Sequence, residues 1–466
     1  MKCVNVWFLI LISGLCSARG LELQTWKFSK GDAAVDASVA DWETVRVPHS
    51  WNVEDGQGDT YYRGPGWYQM TLTPAQLEAD RVFVRFQAVG TVADVYVNGQ
   101  KAGHHVGGYT AFSTEITPFV KEGQAQDVRV RADNEYSDAV APLSGDFTIW
   151  GGMHRPAELI LKNEVCLSPL DHASSGVYLF QENVSEEKAD LRVRVLIDSG
   201  AETDREVRAV VALKDAKGKT VAEKEFPVAV DAGEIKAAEQ VLSLVKPHLW
   251  HGIADPYLYT LTVELFDGDE KVDQYAKKTG FRFFRIDPET GFYLNGKPYP
   301  LHGVNLHYDR KGIGPALTEA HVMEDYERVM EIGANTVRLA HYPHAQMAYE
   351  RCDELGLLVW AEIPIVNSVK MRPGFTSGAC GQLRDMIKQL GNHSSIYCWS
   401  IANEILHRQG DSPYELLEQL HLLAKYLDAT RYTAMASNKN RADRLNRITD
   451  ILTFNNYPGW YGKDPE

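Results

Sequence analysis

The sequence predicts a multidomain protein of the β plus α/β class, with two β-sandwich domains followed by an incomplete parallel (β/α)8 barrel. Three observations support this fold class. Short runs of alternating apolar and polar residues, broken by turn signals, extend over residues 21–282. From residue 292 onward, short apolar strands alternate with amphipathic helical stretches. The length of 466 residues accommodates about three domains of ordinary size.

The first predicted domain covers residues 21–163 and is an all-β sandwich. Residues 82–86 and 93–97 alternate between apolar and polar side chains, which is typical of strands with one buried face. Asn98 and Gly99 follow the second of these runs. Because both residue types tolerate positive φ, the pair predicts a tight hairpin turn.

The second predicted domain covers residues 164–283 and has about the size of an immunoglobulin-like sandwich. Strands are expected at residues 191–197, 207–213 and 257–265. This stretch contains no convincing cluster of catalytic residue types, so we expect it to act as a spacer.

The third predicted domain covers residues 284–466 and carries the alternation of strands and helices. Six strands are expected, at residues 301–306, 335–340, 357–362, 396–402, 433–436 and 451–454, with helices between them such as residues 321–332 and 414–427. A closed (β/α)8 barrel, or TIM barrel, is built from eight strands. We therefore expect a TIM barrel that is incomplete at residue 466.

The first 20 residues have the order of a secretory signal. Met1 and Lys2 precede an apolar run at residues 6–15, and Ala18 and Gly20 offer small residues for cleavage. That run is shorter than the roughly 18 residues needed to span a bilayer, and no later run reaches this length. We expect a signal peptide at residues 1–20, a secreted or periplasmic protein, and no membrane span.

Charge and histidine spacing narrow the class of ligand. The formal net charge is −15, and binding of phosphate backbones needs clustered Lys and Arg, so no nucleic-acid partner is expected. Two histidine pairs occur, His104 with His105 and His341 with His344. Neither pair is accompanied by further residues at the spacing of metal ligands, so neither a metal nor another cofactor is expected. A homo-oligomer is compatible with the sequence.

Candidate site residues follow from barrel geometry, because active sites of TIM barrels lie at the C-terminal ends of the strands. The polar residues at these predicted ends are Asn305, His307, Asp309, Arg338, His341, Glu362, Asn403, Glu404, Asn455 and Tyr457. Carboxylates, amides, imidazoles and aromatic rings together suit a neutral polyhydroxylated ligand, which favours a sugar. Cleavage of a glycoside needs one carboxylic acid to protonate the leaving oxygen and a second carboxylate as nucleophile or base.

Several segments resemble glycoside hydrolase family 2 over essentially the whole chain after the signal. They are YRGPGWY at 62–68, GGY at 107–109, GFYLNGK at 291–297, GVNLH at 303–307, NHSSI at 392–396 and WSIANE at 399–404. One departure is Ser394, which stands where the family usually has proline. The resemblance implies that Glu404 is the general acid/base and that Asn403 contacts the sugar 2-hydroxyl.

The resemblance also implies roles for other strand-end residues. Arg338 would orient the nucleophilic carboxylate, although it could instead neutralise a barrel carboxylate such as Glu362, which we expect to support the site without reacting. Tyr457 would touch the nucleophile. Asp146 lies nine residues before Arg155 in DFTIWGGMHR, where the first domain of the family reaches a sugar-binding aspartate into the site. The expected substrate-binding residues are Asn305, His307, His341, Asn403, Asp146 and Tyr457.

The expected function is that of a retaining β-galactosidase acting on a β-linked oligosaccharide or glycoside. GANTVRLAHYP at 333–343 and WAEIP at 360–364 resemble secreted β-galactosidases of the family. β-Glucuronidase is an alternative, because residues 146–155 and 455–461 resemble that subgroup equally well.

The family's nucleophile lies in a segment like TEYG or SEFG that would follow residue 466, so a carbohydrate-binding fragment without turnover is a second alternative. Some members place a metal-binding Glu and His where this chain has Val366, Asn367 and Ser368. No magnesium is therefore expected at this position.

Overall fold

The computed structural model describes residues 20–56, 58, 60–406 and 413–457. Residues 1–19 of the expected signal peptide and residues 458–461 of the NNYPGWY segment lie outside the described residues. None of the helices within the described ranges is long and apolar enough to cross a membrane.

The first domain is a sandwich of two antiparallel sheets. Its strands are β1 (Leu21–Glu22), β2 (Thr25–Lys30), β3 (Glu43–Arg46), β4 (Pro65–Leu72), β5 (Arg81–Phe86), β6 (Val92–Val97), β7 (Gln100–Val106), β8 (Phe112–Glu115), β9 (Gln126–Asp133) and β10 (Ala157–Lys162). The sheets have the orders β1-β10-β5-β8 and β3-β2-β4-β9-β6-β7. The predicted hairpin turn is present, since Asn98 and Gly99 have φ of 52° and 81° and join β6 to β7.

The second domain is also an antiparallel sandwich. Its strands are β11 (Val165–Leu167), β12 (Val177–Glu182), β13 (Lys188–Ser199), β14 (Arg205–Lys214), β15 (Thr220–Val230), β16 (Ile235–Val245), β17 (Tyr259–Asp267) and β18 (Glu270–Thr279). One sheet has the order β11-β13-β12 with β16 also paired to β13, and the other has the order β15-β14-β17-β18. Alternating Val and Leu side chains from both sheets form its core.

The third domain begins with a small antiparallel sheet and continues as six parallel strands. The small sheet contains β19 (Phe284–Asp287), β20 (Gly291–Leu294) and β21 (Lys297–Pro298). The parallel strands are β22 (Gly303–Leu306), β23 (Thr336–Leu339), β24 (Leu358–Glu362), β25 (Ile396–Asn403), β26 (Tyr432–Ser437) and β27 (Ile451–Phe454). The helices are α1 (Glu319–Glu331), α2 (Gln346–Leu355), α3 (Pro373–Leu390) and α4 (Tyr414–Leu427). The strands pair in sequence order, which confirms the predicted fold class.

Burial within the parallel sheet depends on position. All eight residues of β25 are buried, because helices cover one face of a parallel barrel sheet and barrel side chains cover the other. In β22, by contrast, Gly303 and Asn305 are exposed. Of the six described parallel strands, β25 is therefore the one that is buried along its whole length.

Contacts from the first domain fix its loops against the barrel. Arg155 is buried, and its guanidinium donates to the carbonyl oxygens of Tyr109 at 2.8 Å and of Pro343 at 2.6 Å. The rings of Tyr109 and Tyr342 stack with their centroids 4.2 Å apart. These contacts hold residues 145–150 of the first domain beside the C-terminal ends of β22 and β23.

Candidate active site

Arg338 links the ends of four barrel strands through hydrogen bonds. It lies in β23, and its Nε donates to Oε1 of Glu362 in β24 at 2.7 Å. Its Nη2 donates to Oδ1 of Asn403 in β25 at 2.8 Å, and its Nη1 donates to Oδ1 of Asn455 after β27 at 3.1 Å. Residues that the sequence predicts at separate strand ends therefore form one hydrogen-bonded network.

Glu362 is the buried carboxylate of this network, with 1% of its surface exposed. The Ser400 hydroxyl donates to its Oε1 at 3.2 Å, and its Oε2 lies 2.9 Å from Nδ1 of His341. Burial acts to raise the pKa of Glu362, but the charge of Arg338 and the contact with His341 outweigh burial and lower that pKa. Glu362 is therefore an ionised partner of Arg338 at neutral pH.

Glu404 follows β25 directly and is held differently. Its backbone is left-handed, with φ of 52°, and its N–H donates to the carbonyl oxygen of Ala436 at 2.8 Å. Its Oε2 accepts from Nδ2 of Asn438 at 3.1 Å, and its Oε1 accepts from Nδ2 of Asn455. A left-handed non-glycine residue is uncommon and persists where its surroundings fix it. The carboxylate is thus oriented by two amides from neighbouring strand ends.

Two imidazoles and a phenyl ring form one wall beside the network. The ring centroids of His307 and His341 are 5.4 Å apart, and that of Phe147 lies 5.6 Å from His307 and 6.0 Å from His341. Since the Glu362 carboxylate only accepts hydrogen bonds, Nδ1 of His341 carries the proton of their contact, which leaves Nε2 of His341 for other partners. Desolvation, with a smaller contribution from His341, lowers the pKa of His307.

Asn305 and Tyr457 lie on a cavity of about 280 Å³ inside the barrel sheet. The same cavity is lined by Arg338, Trp360 and Asn455. The guanidinium carbon of Arg338 lies 5.1 Å from the centroid of the Trp360 ring, which stabilises its charge through a cation–π contact. The structure therefore places Asn305 and Tyr457 next to the network around Arg338.

Asp146 lies on a different cavity, of about 640 Å³, between the first domain and the loop after β22. Asp309 and the aromatic residues Tyr61, Phe147 and Trp150 also line this cavity. Because Phe147 contacts His307, the cavity adjoins the histidine wall of the network. The structure brings Asp146 to the edge of the strand-end residues and gives it no contact with Glu404 among the described residues.

No group of three or more His, Cys, Asp or Glu residues within the described ranges is arranged to hold a metal ion. The segment from Val366 to Ser368 instead makes backbone contacts with β25 and the loop after it. The N–H of Asn367 donates to the carbonyl oxygen of Asn403 at 3.0 Å, and the N–H of Leu406 donates to the carbonyl oxygen of Asn367 at 2.7 Å.

Three family models match consecutive parts of the chain. The sugar binding domain of glycosyl hydrolases family 2 matches residues 23–163, the model described as glycosyl hydrolases family 2 matches residues 177–282, and the family 2 TIM barrel domain matches residues 286–466. The chain belongs to glycosyl hydrolase family 2. The resemblance found in the sequence motifs is thereby confirmed.

The similar family 2 proteins are named for two different activities. A beta-glucuronidase of Bacteroides fragilis is 39% identical over 437 residues, which cover 91% of this chain and 62% of that protein. A beta-galactosidase of Bacteroides ovatus is 28% identical over 422 residues, which cover 86% of this chain and 48% of that protein.

The fold of this chain is also similar to that of a solved structure. Bacteroides uniformis beta-glucuronidase 2, covalently bound to cyclophellitol-6-carboxylate aziridine, is 35% identical with a TM-score of 0.91. The match covers 95% of this chain and 55% of that one. The family 2 chain described here therefore spans less than two thirds of the length of these relatives.

Sequence reasoning missed three residues of the site in this family 2 chain. Ser400 lies four residues before Glu404 in β25, so the two-residue period of a strand could have placed it on the side of the network. Asn438 follows β26 directly, and the strand-end rule would have found it if the predicted strand had not stopped at residue 436. Phe147 carries no strand-end signal, since it comes from a loop of the first domain.

Proposed function

We propose that this family 2 chain supplies the acid/base side of a retaining β-glucuronidase site, with Glu404 as the general acid and base. The placement of the Glu404 carboxylate supports this proposal. It directly follows a fully buried strand, and the amides of Asn438 and Asn455 orient both of its oxygens. General acid catalysis depends on such fixed placement of a proton-transferring group.

Glu362 is poorly suited to the reacting role. It is 1% exposed, its Oε1 accepts from Arg338 and Ser400, and its Oε2 contacts His341. A nucleophilic carboxylate must reach the anomeric carbon with a free oxygen. We therefore assign nucleophilic attack to a carboxylate outside the described residues, as the family motif implies.

The reaction proceeds in two steps in this proposal. In the first, the nucleophilic carboxylate bonds to the anomeric carbon, the bond to the aglycone oxygen breaks, and Glu404 gives its proton to that oxygen. In the second, Glu404 takes a proton from water, the water oxygen bonds to the anomeric carbon, and the nucleophile leaves. Two inversions release the sugar with its original β configuration.

The other strand-end residues bind and orient the sugar in this proposal. Asn403 contacts the 2-hydroxyl, and the His307 and His341 rings face further hydroxyl groups. Arg338 positions Asn403 and Asn455 through its two Nη contacts. Asp146 approaches the bound sugar from the cavity of the first domain.

A β-D-glucuronide is the substrate that the similar proteins favour. The 39% identical relative and the 35% identical solved structure are both named beta-glucuronidase. A β-D-galactoside, which the sequence motifs favour, is the second candidate, and the 28% identical relative named beta-galactosidase supports it. The higher identity of the glucuronidases decides our choice.

Comparison of two aryl glycosides tests the proposed substrate. The assays use a form of the protein that includes the nucleophilic carboxylate. It should hydrolyse 4-nitrophenyl β-D-glucuronide with a kcat/KM at least about 100-fold above that for the β-D-galactoside, because a site built for a carboxylate leaves buried groups unpaired with a hydroxymethyl group. Glu404→Gln should reduce hydrolysis of both, which excludes a contaminating enzyme. A higher kcat/KM for the galactoside would overturn the glucuronidase proposal in favour of the second candidate.

A further inference from the structure

A third cavity lies where the three domains meet, away from the strand-end network. Its volume is about 320 Å³, and its lining residues come from β5 and β10, the loop between β11 and β12, β18, and the helices α2 and α3. None of the residues of the proposed active site lines it. A volume near 300 Å³ is in the range of sites for small molecules.

Arg85 projects from β5 into this cavity without an acceptor. Its Nε is buried with no hydrogen-bond partner, and its guanidinium forms no ion pair with any described residue. Glu158 pairs with Arg85 across the sheet, but its carboxylate accepts from the side chain of Gln87. A buried donor without an acceptor costs roughly 1–3 kcal/mol, and more when it is charged.

The other cations that line the cavity are already paired. Lys162 donates to both oxygens of Asp273, at 2.8 and 2.7 Å. Lys277 donates to the Glu350 carboxylate at 3.3 Å. Among the described lining residues, Arg85 is the cation without a carboxylate in ion-pair contact, so its guanidinium is free to bind an anion, although the Glu158 carboxylate beside it also lines the cavity and has no cationic partner.

The remaining lining fits a sugar ring. Tyr275 supplies an aromatic surface, and Gln274 and Gln346 also line the cavity. Gln274 Nε2 and Gln346 Oε1 have no partner in the described part of the chain, which leaves one donor and one acceptor for hydroxyl groups. An arginine binds a carboxylate with two parallel hydrogen bonds.

We propose that the cavity between the three domains binds a sugar acid of monosaccharide size, with its carboxylate on Arg85. This site is separate from the proposed active site and does not depend on the proposed function. Because its lining comes from all three domains, the bound sugar acid would connect them.

Calorimetric titration with D-glucuronate tests the site. Arg85→Gln should raise the Kd of this site at least about tenfold, because the charged hydrogen bonds are lost. The KM of the variant for an aryl β-D-glucuronide should stay unchanged, which separates this cavity from the active site. D-glucose, which lacks the carboxylate, should not bind here. Unaltered glucuronate binding by Arg85→Gln would overturn the proposal.

Three further measurements distinguish loss of binding from a folding defect. Arg85→Lys keeps the positive charge but loses the two parallel hydrogen bonds, so its Kd for glucuronate should lie between those of the wild type and Arg85→Gln. Arg208→Gln, a substitution of a surface arginine in the second domain, is the matched control and should leave glucuronate binding unchanged. A crystal of the wild-type protein soaked in glucuronate should show the carboxylate against Arg85. An empty cavity in that crystal would overturn the proposal independently of any variant.

Discussion

Glu362 and Glu404 are carboxylates at the ends of neighbouring strands, yet their surroundings are opposite in kind. Glu362 is almost fully buried and is paired with Arg338, His341 and Ser400. Glu404 is half-buried and is held by two neutral amides. Environment, and not residue type, therefore separates the carboxylate that supports the site from the one we propose to react.

In our proposal, Glu362 contributes mainly to folding stability and Glu404 mainly to catalysis. A buried charged pair is costly to break, because removal of one partner leaves the other charge uncompensated. A carboxylate held by amides can change its protonation without leaving a buried cation alone. Substitutions at the two positions should therefore separate loss of folding stability from loss of activity.

The largest expected effect is on catalysis at Glu404. Glu404→Gln should lower kcat/KM for an unactivated β-glucuronide by about 1,000-fold, since the amide can neither donate the proton nor accept it. Its free energy of unfolding should stay within about 1 kcal/mol of the wild type. Steady-state kinetics and urea denaturation measure the two quantities. Glu418→Gln, on the exposed side of α4, is the control, and equal activity of both variants would contradict the comparison.

The next effect is on stability at Glu362. Glu362→Gln should lower the free energy of unfolding by about 3–5 kcal/mol, because Arg338 then loses its buried counter-charge. Urea denaturation followed by circular dichroism gives this value. A loss below about 1 kcal/mol would show that the buried pair does not stabilise the barrel.

The same pair predicts a pH dependence. The folded pKa of Glu362 lies below its ordinary value of 4.5, so its contribution to stability is present above about pH 4.5 and is lost as the pH falls through the folded pKa. The difference in unfolding free energy between wild type and Glu362→Gln should be constant above about pH 5 and should narrow below about pH 4.5. A difference that widens on acidification would contradict the ionised state of Glu362.

The smallest expected effect is at Asn438, which holds Oε2 of Glu404. Asn438→Ala should lower kcat by about 3- to 10-fold with little change in KM, because the carboxylate is oriented less firmly while the sugar contacts remain. Lys439→Ala leaves both amide contacts to Glu404 in place and is the matched control. Equal kcat values for the two variants would remove Asn438 from the site.

Strand periodicity predicted the fold of the barrel domain and the positions of the candidate strand-end residues. The strand β27 has the predicted bounds, and the other five parallel strands differ from their predictions by one or two residues at an end. Because the C-terminal ends of parallel strands meet at one edge, the residue pattern alone groups side chains as distant in the chain as Arg338 and Asn455.

The hydrogen-bond partners within the site depend on backbone and side-chain geometry that strand periodicity does not predict. The sequence left open whether Arg338 pairs with the nucleophile or with Glu362. In the structure Arg338 lies opposite Trp360 in the ladder, and the side chain reaches past it to Glu362. The contacts of Glu404 depend on its left-handed backbone and on irregular pairing between β25 and β26, neither of which the residue pattern indicates.

The proposal that Glu404 is the acid/base of a retaining enzyme is tested most directly by chemical rescue of Glu404→Ala. With an activated aryl β-D-glucuronide, the first step needs little protonation, so the glycosyl-enzyme should accumulate and a burst of phenolate should appear. Azide needs no general base, and it should restore turnover and yield the β-glycosyl azide, identified by NMR. Wild-type rates on an unactivated glucuronide, or formation of the α-glycosyl azide, would contradict the assignment of Glu404.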